Sequence, residues 1–542
     1  MDATPAEAPV FTRQRLWWLL LLVGISALLL FARLGEYALW DDEAGTALHG
    51  QCVFATGDTG AKVGENIVAF RHGVALKGLK ERSLSPLQYY LAAPFVGVWR
   101  DSAFAARFPF ALCGLFTLGF LCYWILSRVR NPGYAGLLIA GYLSNVSLLL
   151  YVRQSRYYAL ALLFSTLVVF LYLKWSSRRE YPLLFSLCCL LLMASNYLAY
   201  AALGGAMAVD FLIWRRKQVI PSRKAIVVFA VTQSAAALLL LSVWNPFRSG
   251  LGSFAREHGP AFAERLLLFL WNLRDAAAAE FYHGFVLLAA LWLVFRRRDQ
   301  LLARALCALL VFLTLVTVFS PQADIFTTKR ADIRYILPAI LLFIFVTART
   351  LFLLFGNTKA LLAGMALLEF GTNALNGIPL LDGGFHSLPV SYLGELLDPP
   401  GDPYRPTSDW IRKNVPPGSS VWVQPEYMTH PLVFHAPDAV YAWQLLPGQR
   451  AEEQFKDLPP IHFKGVEMPD YIVVFGPLVS EVRRQIAEWK LHGTYYREVG
   501  MIDCYWNDLY RPEAFQRTFR PIKSYDWSTQ AIYLFKKHET TQ

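Results

Sequence analysis

Asp41, Asp42 and Glu43 set three carboxylates in a row shortly after the apolar run from Leu16 to Ala32. Carboxylates beside an apolar wall can take a proton from a hydroxyl or an amine, provided partial burial raises their basicity. A plainer assignment is a helix start, because Asp41 or Asp42 would serve as N-cap for a helix running through Ala47. The residue types leave both readings open. A second set carries the opposite charge: Arg107, Arg153, Arg156, Lys329, Arg330 and Arg334 all fall where apolar runs begin. Guanidinium groups gathered at one depth could hold a phosphate through charge-assisted, often bidentate bonds and stabilise it as a leaving group. Snorkelling to lipid headgroups, or pairing with Asp324 and Asp332, accounts for them equally well.

The elements that must position these groups are membrane helices. The chain has 542 residues, 55% hydrophobic and 17% charged, with a mean hydropathy of +0.35. A soluble domain of this size could not solvate that balance. Sixteen Trp, 26 Tyr and 38 Phe supply rings suited to the headgroup level. The net charge of +11 would point to nucleic acid in a soluble protein. Here the basic residues cluster at the ends of apolar runs, so topology and anionic lipid explain them and no nucleic-acid partner is expected.

A ruler of roughly 20 apolar residues per crossing gives about eleven spans. They fall near 15–33, 104–127, 133–151, 157–174, 181–197, 199–214, 224–244, 281–296, 300–319, 334–352 and 359–380. With the N-terminus cytoplasmic, five successive inner loops are basic, as the positive-inside bias requires: around Arg128 and Arg130, Lys174 to Arg179, Arg215 to Lys224, Arg296 to Arg304, and Lys359. Pro86 to Trp99 is aromatic and apolar but short for a crossing, so it reads as a re-entrant or interfacial helix inside a long outer loop, 34–103. Asp210 is expected to pair with the Arg215 cluster at the inner face, and Glu369 with a helix neighbour.

The expected architecture is therefore a polytopic α-helical membrane domain over 1–381 and a C-terminal outer α/β domain over 382–542. In the latter, Asp402 to Asn414 reads as helix and Ser420 to Gln424 as a strand after the turn Pro416-Pro417-Gly418. Tyr471 to Phe475 reads as a buried strand, Val479 to Leu491 as an amphipathic helix, and Ala531 to Phe535 as a final edge strand. His430 and His435 read as a surface pair, since no third ligand stands at a recognisable spacing, and no internal repeat of the spans is evident. The seven cysteines lack metal-ligand spacing; a bond between Cys52 and Cys504, which both fall outside the spans, stays open.

Five elements in order resemble the GT-C class of integral-membrane glycosyltransferases. The likeness is to the branch that holds the dolichyl-phosphate-mannose protein mannosyltransferases and the lipid A aminoarabinose transferases (glycosyltransferase families 39 and 83). Trp40-Asp41-Asp42-Glu43 looks like the family's Asp-Glu element, and Ser85-Pro86-Leu87-Gln88-Tyr89-Tyr90-Leu91 like its Pro-Pro-Leu-Tyr-Tyr helix. Phe104-Ala105-Ala106-Arg107-Phe108-Pro109 resembles the entry to the second span, Arg153-Gln154-Ser155-Arg156-Tyr157-Tyr158 the start of the fourth, and Arg334-Tyr335-Ile336-Leu337-Pro338 the late Arg-Tyr element. Ser85 stands where the lipid A enzyme has a lysine, which weakens the case for aminoarabinose and lipid A.

The resemblance implies the GT-C fold and an inverting transfer of a sugar from a polyprenyl-phosphate donor to a lipid, glycan or protein acceptor. It implies Asp42 as the acceptor-activating base with Glu43 beside it, and Arg107, Arg153, Arg156, Arg334 and Tyr335 as candidates for the donor phosphate. A bacterial inner membrane, with the site and the C-terminal domain on the periplasmic side, is the expected location. Inversion needs one base and one departing phosphate, so no second carboxylate is required; a divalent metal is optional and no site for one is evident. A transporter or lipid flippase, and a polysaccharide ligase or polymerase using a pyrophosphate-linked glycan, are the competing assignments.

Overall fold

Backbone in hydrocarbon can pair its polar groups only within helices or closed barrels, and the described residues of the eleven apolar runs are mainly helical. The computed structural model describes residues 12–74, 76–176, 180–217, 219–245, 262–280, 284–319, 333–372, 374, 387–399, 402–503 and 531–538. In chain order the helices are α1 (Arg13–Phe31), α2 (Asp41–Thr56), α3 (Leu87–Val98), α4 (Ala103–Arg128), α5 (Pro132–Ser144), α6 (Val146–Val152), α7 (Tyr158–Lys174), α8 (Pro182–Ser195), α9 (Tyr197–Asp210), α10 (Arg223–Val243), α11 (Phe262–Glu280), α12 (Gly284–Arg297), α13 (Gln300–Phe319), α14 (Leu337–Phe355), α15 (Lys359–Gly371) and α16 (Leu388–Leu397). Among the described residues six helices are long and apolar enough to cross a membrane, or seven if the bent pair α5 and α6 is one span.

Polar caps set several of the breaks. Asn196 closes α8 and accepts from Ala199 N, so the split near Ser195 falls where the sequence puts it. Asn145 does the same inside the run expected to be one continuous span: its side chain accepts from Leu148 N at 2.7 Å, and the helix turns by 54° there. The sequence also passes over α11, whose Glu264, Arg265, Arg274 and Asp275 dilute its hydropathy. Asp210 pairs with Arg304 of α13 at 2.7 Å and accepts from the Tyr172 hydroxyl, rather than pairing with Arg215. Arg215 instead donates to the carbonyls of Tyr172 and Trp175.

Close approach of α6 to α4 depends on Gly114. A Cβ added there would stand 2.6 Å and 2.7 Å from Val152 Cγ2 and Cβ, and Val152 is buried and stiff at χ1. A helical Gly→Ala change gains up to about 1 kcal/mol in propensity, whereas overpacking costs about 1–3 kcal/mol. Gly114→Ala is therefore expected to lower the thermal midpoint, measured in detergent; an unchanged midpoint would mean that α6 slides freely on α4.

The C-terminal domain is α/β, with α17 (Tyr404–Asn414), α18 (Thr429–His435) and α19 (Val479–Leu491) around one sheet. The strands β3 (Ser420–Gln424), β4 (Val440–Tyr441), β5 (Tyr471–Phe475), β6 (Tyr495–Asp503) and β7 (Ala531–His538) run in the order β4-β3-β5-β7-β6. Residues 531–535 thus belong to an interior strand, paired antiparallel with both β5 and β6, and not to an edge. β6 takes the edge instead; its half-exposed pattern lacks a clean apolar signal.

This domain closes over the α1–α4 loop. A two-strand ribbon in the loop, β1 (Lys62–Val63) and β2 (Asn66–Ile67), presents Asn66, whose side chain donates to Pro437 O and Ala439 O and accepts from Tyr441 N. Ala61, Ile67, Ala69 and Leu76 of the loop share one apolar cluster with Leu445, Phe455, Leu458 and Phe463 of the domain. Cys52 is a free, buried thiol that burial pushes up to about 11, and Cys504 lies outside the described residues.

Candidate active site

Helix α2 begins at the three carboxylates. Trp40 is its N-cap and makes no side-chain cap bond, so Asp41, Asp42 and Glu43 occupy the first turn rather than the cap. Negative charge there is favoured by the helix dipole. Successive residues project about 100° apart around a helix axis of 3.6 residues per turn, so the three side chains diverge to three different partners.

Glu43 turns into the membrane domain and is fully buried. Arg107 of α4 meets it with Nε at 2.8 Å from Oε1 and Nη2 on Oε2, and Ser155 N also donates to Oε1. Arg107 donates in addition to the carbonyls of Leu34, Tyr37 and Ala38. All five N–H groups of the guanidinium are thereby spent. Arg107 holds the chain entering α2 and has no donor left for a phosphate, which corrects its expected role; Glu43, with both oxygens engaged, is no free base.

Asp41 points toward the C-terminal domain. His430 Nδ1 of α18 lies 2.8 Å from its Oδ1, and both side chains are buried. Burial pushes the Asp41 carboxyl up, against the hydrogen bond and charge of His430. His435 is buried too: its Nε2 accepts from Leu39 N at 2.9 Å, and burial drives it down to about 3. The two histidines are therefore interdomain contacts and not a surface pair. No periodicity in the sequence could reveal them, because their partners stand nearly 400 positions away.

Asp42 faces between these two. Its Oδ2 is 2.9 Å from Arg334 Nη1 and 3.3 Å from Arg156 Nη2. At 15% side-chain exposure it is the most open of the three, against 0% for Glu43 and 9% for Asp41. Arg156 sits in the turn between α6 and α7, and Arg334 in a single 3-10 turn (Ile333–Ile336) leading into α14. Each guanidinium lies over its neighbouring ring, Arg156 at 5.4 Å from the Tyr157 centroid and Arg334 at 5.2 Å from that of Tyr335. Arg153, three residues before Arg156, serves elsewhere: it donates to the Tyr392 hydroxyl at 2.6 Å and to Ala32 O at 2.7 Å, tying α16 to the end of α1. Lys329, Arg330, Asp324 and Asp332 lie outside the described residues.

The same face of α2 carries Thr46 and His49, one and two turns on, which sequence reasoning did not select. Thr46 Oγ1 lies 3.3 Å from Arg156 Nη1, which donates to it, and near Gln88 of α3. His49 Nδ1 lies 2.8 Å from Gly60 O, its ring meets Tyr89 edge-on, and burial holds it below the usual imidazole range. Among the described residues no group of three His, Cys, Asp or Glu side chains could hold a metal ion.

No family model matches the sequence. No curated protein matches it either. Solved structures do match. The crystal structure of ArnT from Cupriavidus metallidurans bound to undecaprenyl phosphate superposes with a TM-score of 0.57 at 14% identity, over 96% of this chain and 98% of that one. Its apo state gives 0.55 at 15% identity, over 88% and 95%. The archaeal oligosaccharyltransferase AglB from Archaeoglobus fulgidus, in complex with an inhibitory peptide and a dolichol-phosphate, gives 0.51 at 11% identity, over 88% and 71%. At these identities the likeness establishes the fold alone: the chain shares with these two proteins a polytopic helical membrane domain and a C-terminal sheet domain.

Proposed function

We propose that this chain is an inverting glycosyltransferase of the GT-C class that moves a sugar from a polyprenyl-phosphate donor to a hydroxyl or amine acceptor on the side of the membrane where the C-terminal domain stands, the periplasmic side of a bacterial inner membrane. The observation that carries the proposal is the convergence of Asp42 with Arg156 and Arg334, three residues from distant parts of the chain. It sets one partly open carboxylate against two cations where the transmembrane helices meet the loop. In the reaction, Asp42 takes the proton of the acceptor O–H or N–H as that atom bonds to the anomeric carbon. The bond from that carbon to the phosphate oxygen breaks, and the lipid phosphate leaves with its charge neutralised by Arg156 and Arg334. Attack and departure on opposite faces invert the centre in one displacement. Tyr335 and Tyr157 support the cations from below. ArnT bound to undecaprenyl phosphate, and AglB bound to dolichol-phosphate, support a donor of that class for this fold.

The test uses radiolabelled polyprenyl-phosphate sugars with the purified protein in lipid nanodiscs. Release of the sugar from its carrier supports transfer, and intact movement of the lipid across the bilayer would identify a flippase instead. Neutralising Arg156 or Arg334 to Gln is expected to weaken binding of undecaprenyl phosphate by about 10-fold or more, since a charge-assisted bond is worth about 1.5–3 kcal/mol. Unchanged affinity in both variants removes the phosphate site.

A further inference from the structure

The two cations assigned above to the donor phosphate are already occupied, and by the very carboxylate that the reaction needs as a base. Asp42 Oδ2 lies within 3.3 Å of both guanidiniums. A carboxylate pinned between two cations is a poor proton acceptor, because the neighbouring charges favour its ionised form. We infer that the donor phosphate and Asp42 compete for Arg156 and Arg334, so that donor binding draws the guanidiniums off the carboxylate and frees it as the base. This rests on the proposed function and adds an order to it: the acceptor is activated only after the lipid has arrived.

Three features of the site suit such an exchange. Arg156 does not depend on the carboxylate for its place, since its Nη1 donates to Thr46 Oγ1 at 3.3 Å and approaches Asp42 O at 3.5 Å. Its Nε is buried and has no hydrogen-bond partner among the described residues, leaving a spare N–H on a guanidinium that is nine-tenths buried. An unsatisfied buried donor is costly and is relieved by an acceptor with several oxygens, which a phosphate ester supplies. The Tyr157 and Tyr335 rings then hold both cations while the carboxylate changes partner. An Asp42 relieved of these two cations is a better proton acceptor at the moment the leaving group is in place.

The experiment measures binding of undecaprenyl phosphate, which carries no sugar, to the wild-type chain, Asp42→Asn and Asp42→Ala in nanodiscs, with thermal midpoints as a folding control. Removing the competing carboxylate is expected to tighten binding about tenfold in both variants. Adding Arg156→Gln to Asp42→Asn is expected to erase most of that gain. Equal or weaker binding by both Asp42 variants, at wild-type thermal midpoints, overturns the exchange while leaving the glycosyltransferase reading intact. A wild-type chain that does not bind undecaprenyl phosphate at all sinks the glycosyltransferase reading itself.

Discussion

Asp42→Asn is expected to lower the rate of sugar transfer by about 10²–10⁴-fold, the usual contribution of a positioned general base. The substitution keeps the size and planarity of the side chain, and Asp42 is the most exposed of the three consecutive acids, so the fold should persist. What is lost is a group that can receive the acceptor's proton. Steady-state kinetics should place the loss in kcat, with donor affinity kept or raised, because Arg156 and Arg334, the proposed phosphate-binding cations, remain. A variant with near-wild-type turnover would show that the base lies elsewhere, and the Asp41–His430 pair, one residue away, would be the place to look.

Arg107→Ala should act on folding before it acts on chemistry. Arg107 is buried, and so is its partner Glu43. Removing one member of a buried ion pair costs about 3–5 kcal/mol, because the other charge is left uncompensated. Three carbonyls also lose their donor, and these belong to the strap between α1 and α2. A domain with a net stability of about 5–15 kcal/mol has little room for such a loss. Little monodisperse protein is expected on size exclusion, with rapid proteolysis of the loop. Arg107→Lys should rescue only in part, since an ammonium offers three donors where the guanidinium uses five. A well-folded but inactive Arg107→Ala would mean that this arginine touches substrate after all.

The contrast between these two residues shows how far the sequence speaks. Residue type and order put Asp42, Arg156 and Arg334 among the candidates, because charge at the end of an apolar run is conspicuous, and the family resemblance singled out Asp42 from its two acidic neighbours. The same criterion admitted Arg107 and Arg153 on equal terms. Their difference lies in which carbonyls and hydroxyls come within reach after folding, and that is a tertiary matter. Strands such as Ser420–Gln424 and Tyr471–Phe475 were readable from their apolar, β-branched runs bounded by turn residues. The β6 strand, with charged residues along its exposed edge, was not. α11 hid for the same reason, its charges masking a helix that packs along α13. His430 and His435 carried no local signal at all, because what makes them matter is a carboxylate and a backbone amide in the first fifty residues.

The apolar cluster built half from the loop and half from the C-terminal domain has a bearing on protein engineering. Neither contribution, four aliphatic or small side chains from residues 61–76 and four from residues 445–463, amounts to a core alone. Ribbon and cap are thus a single inheritable piece, interrupted in the gene by most of the membrane helices. A chimera that imports a foreign cap must import the matching ribbon with it, or both will be left with a greasy face and nothing to lie against.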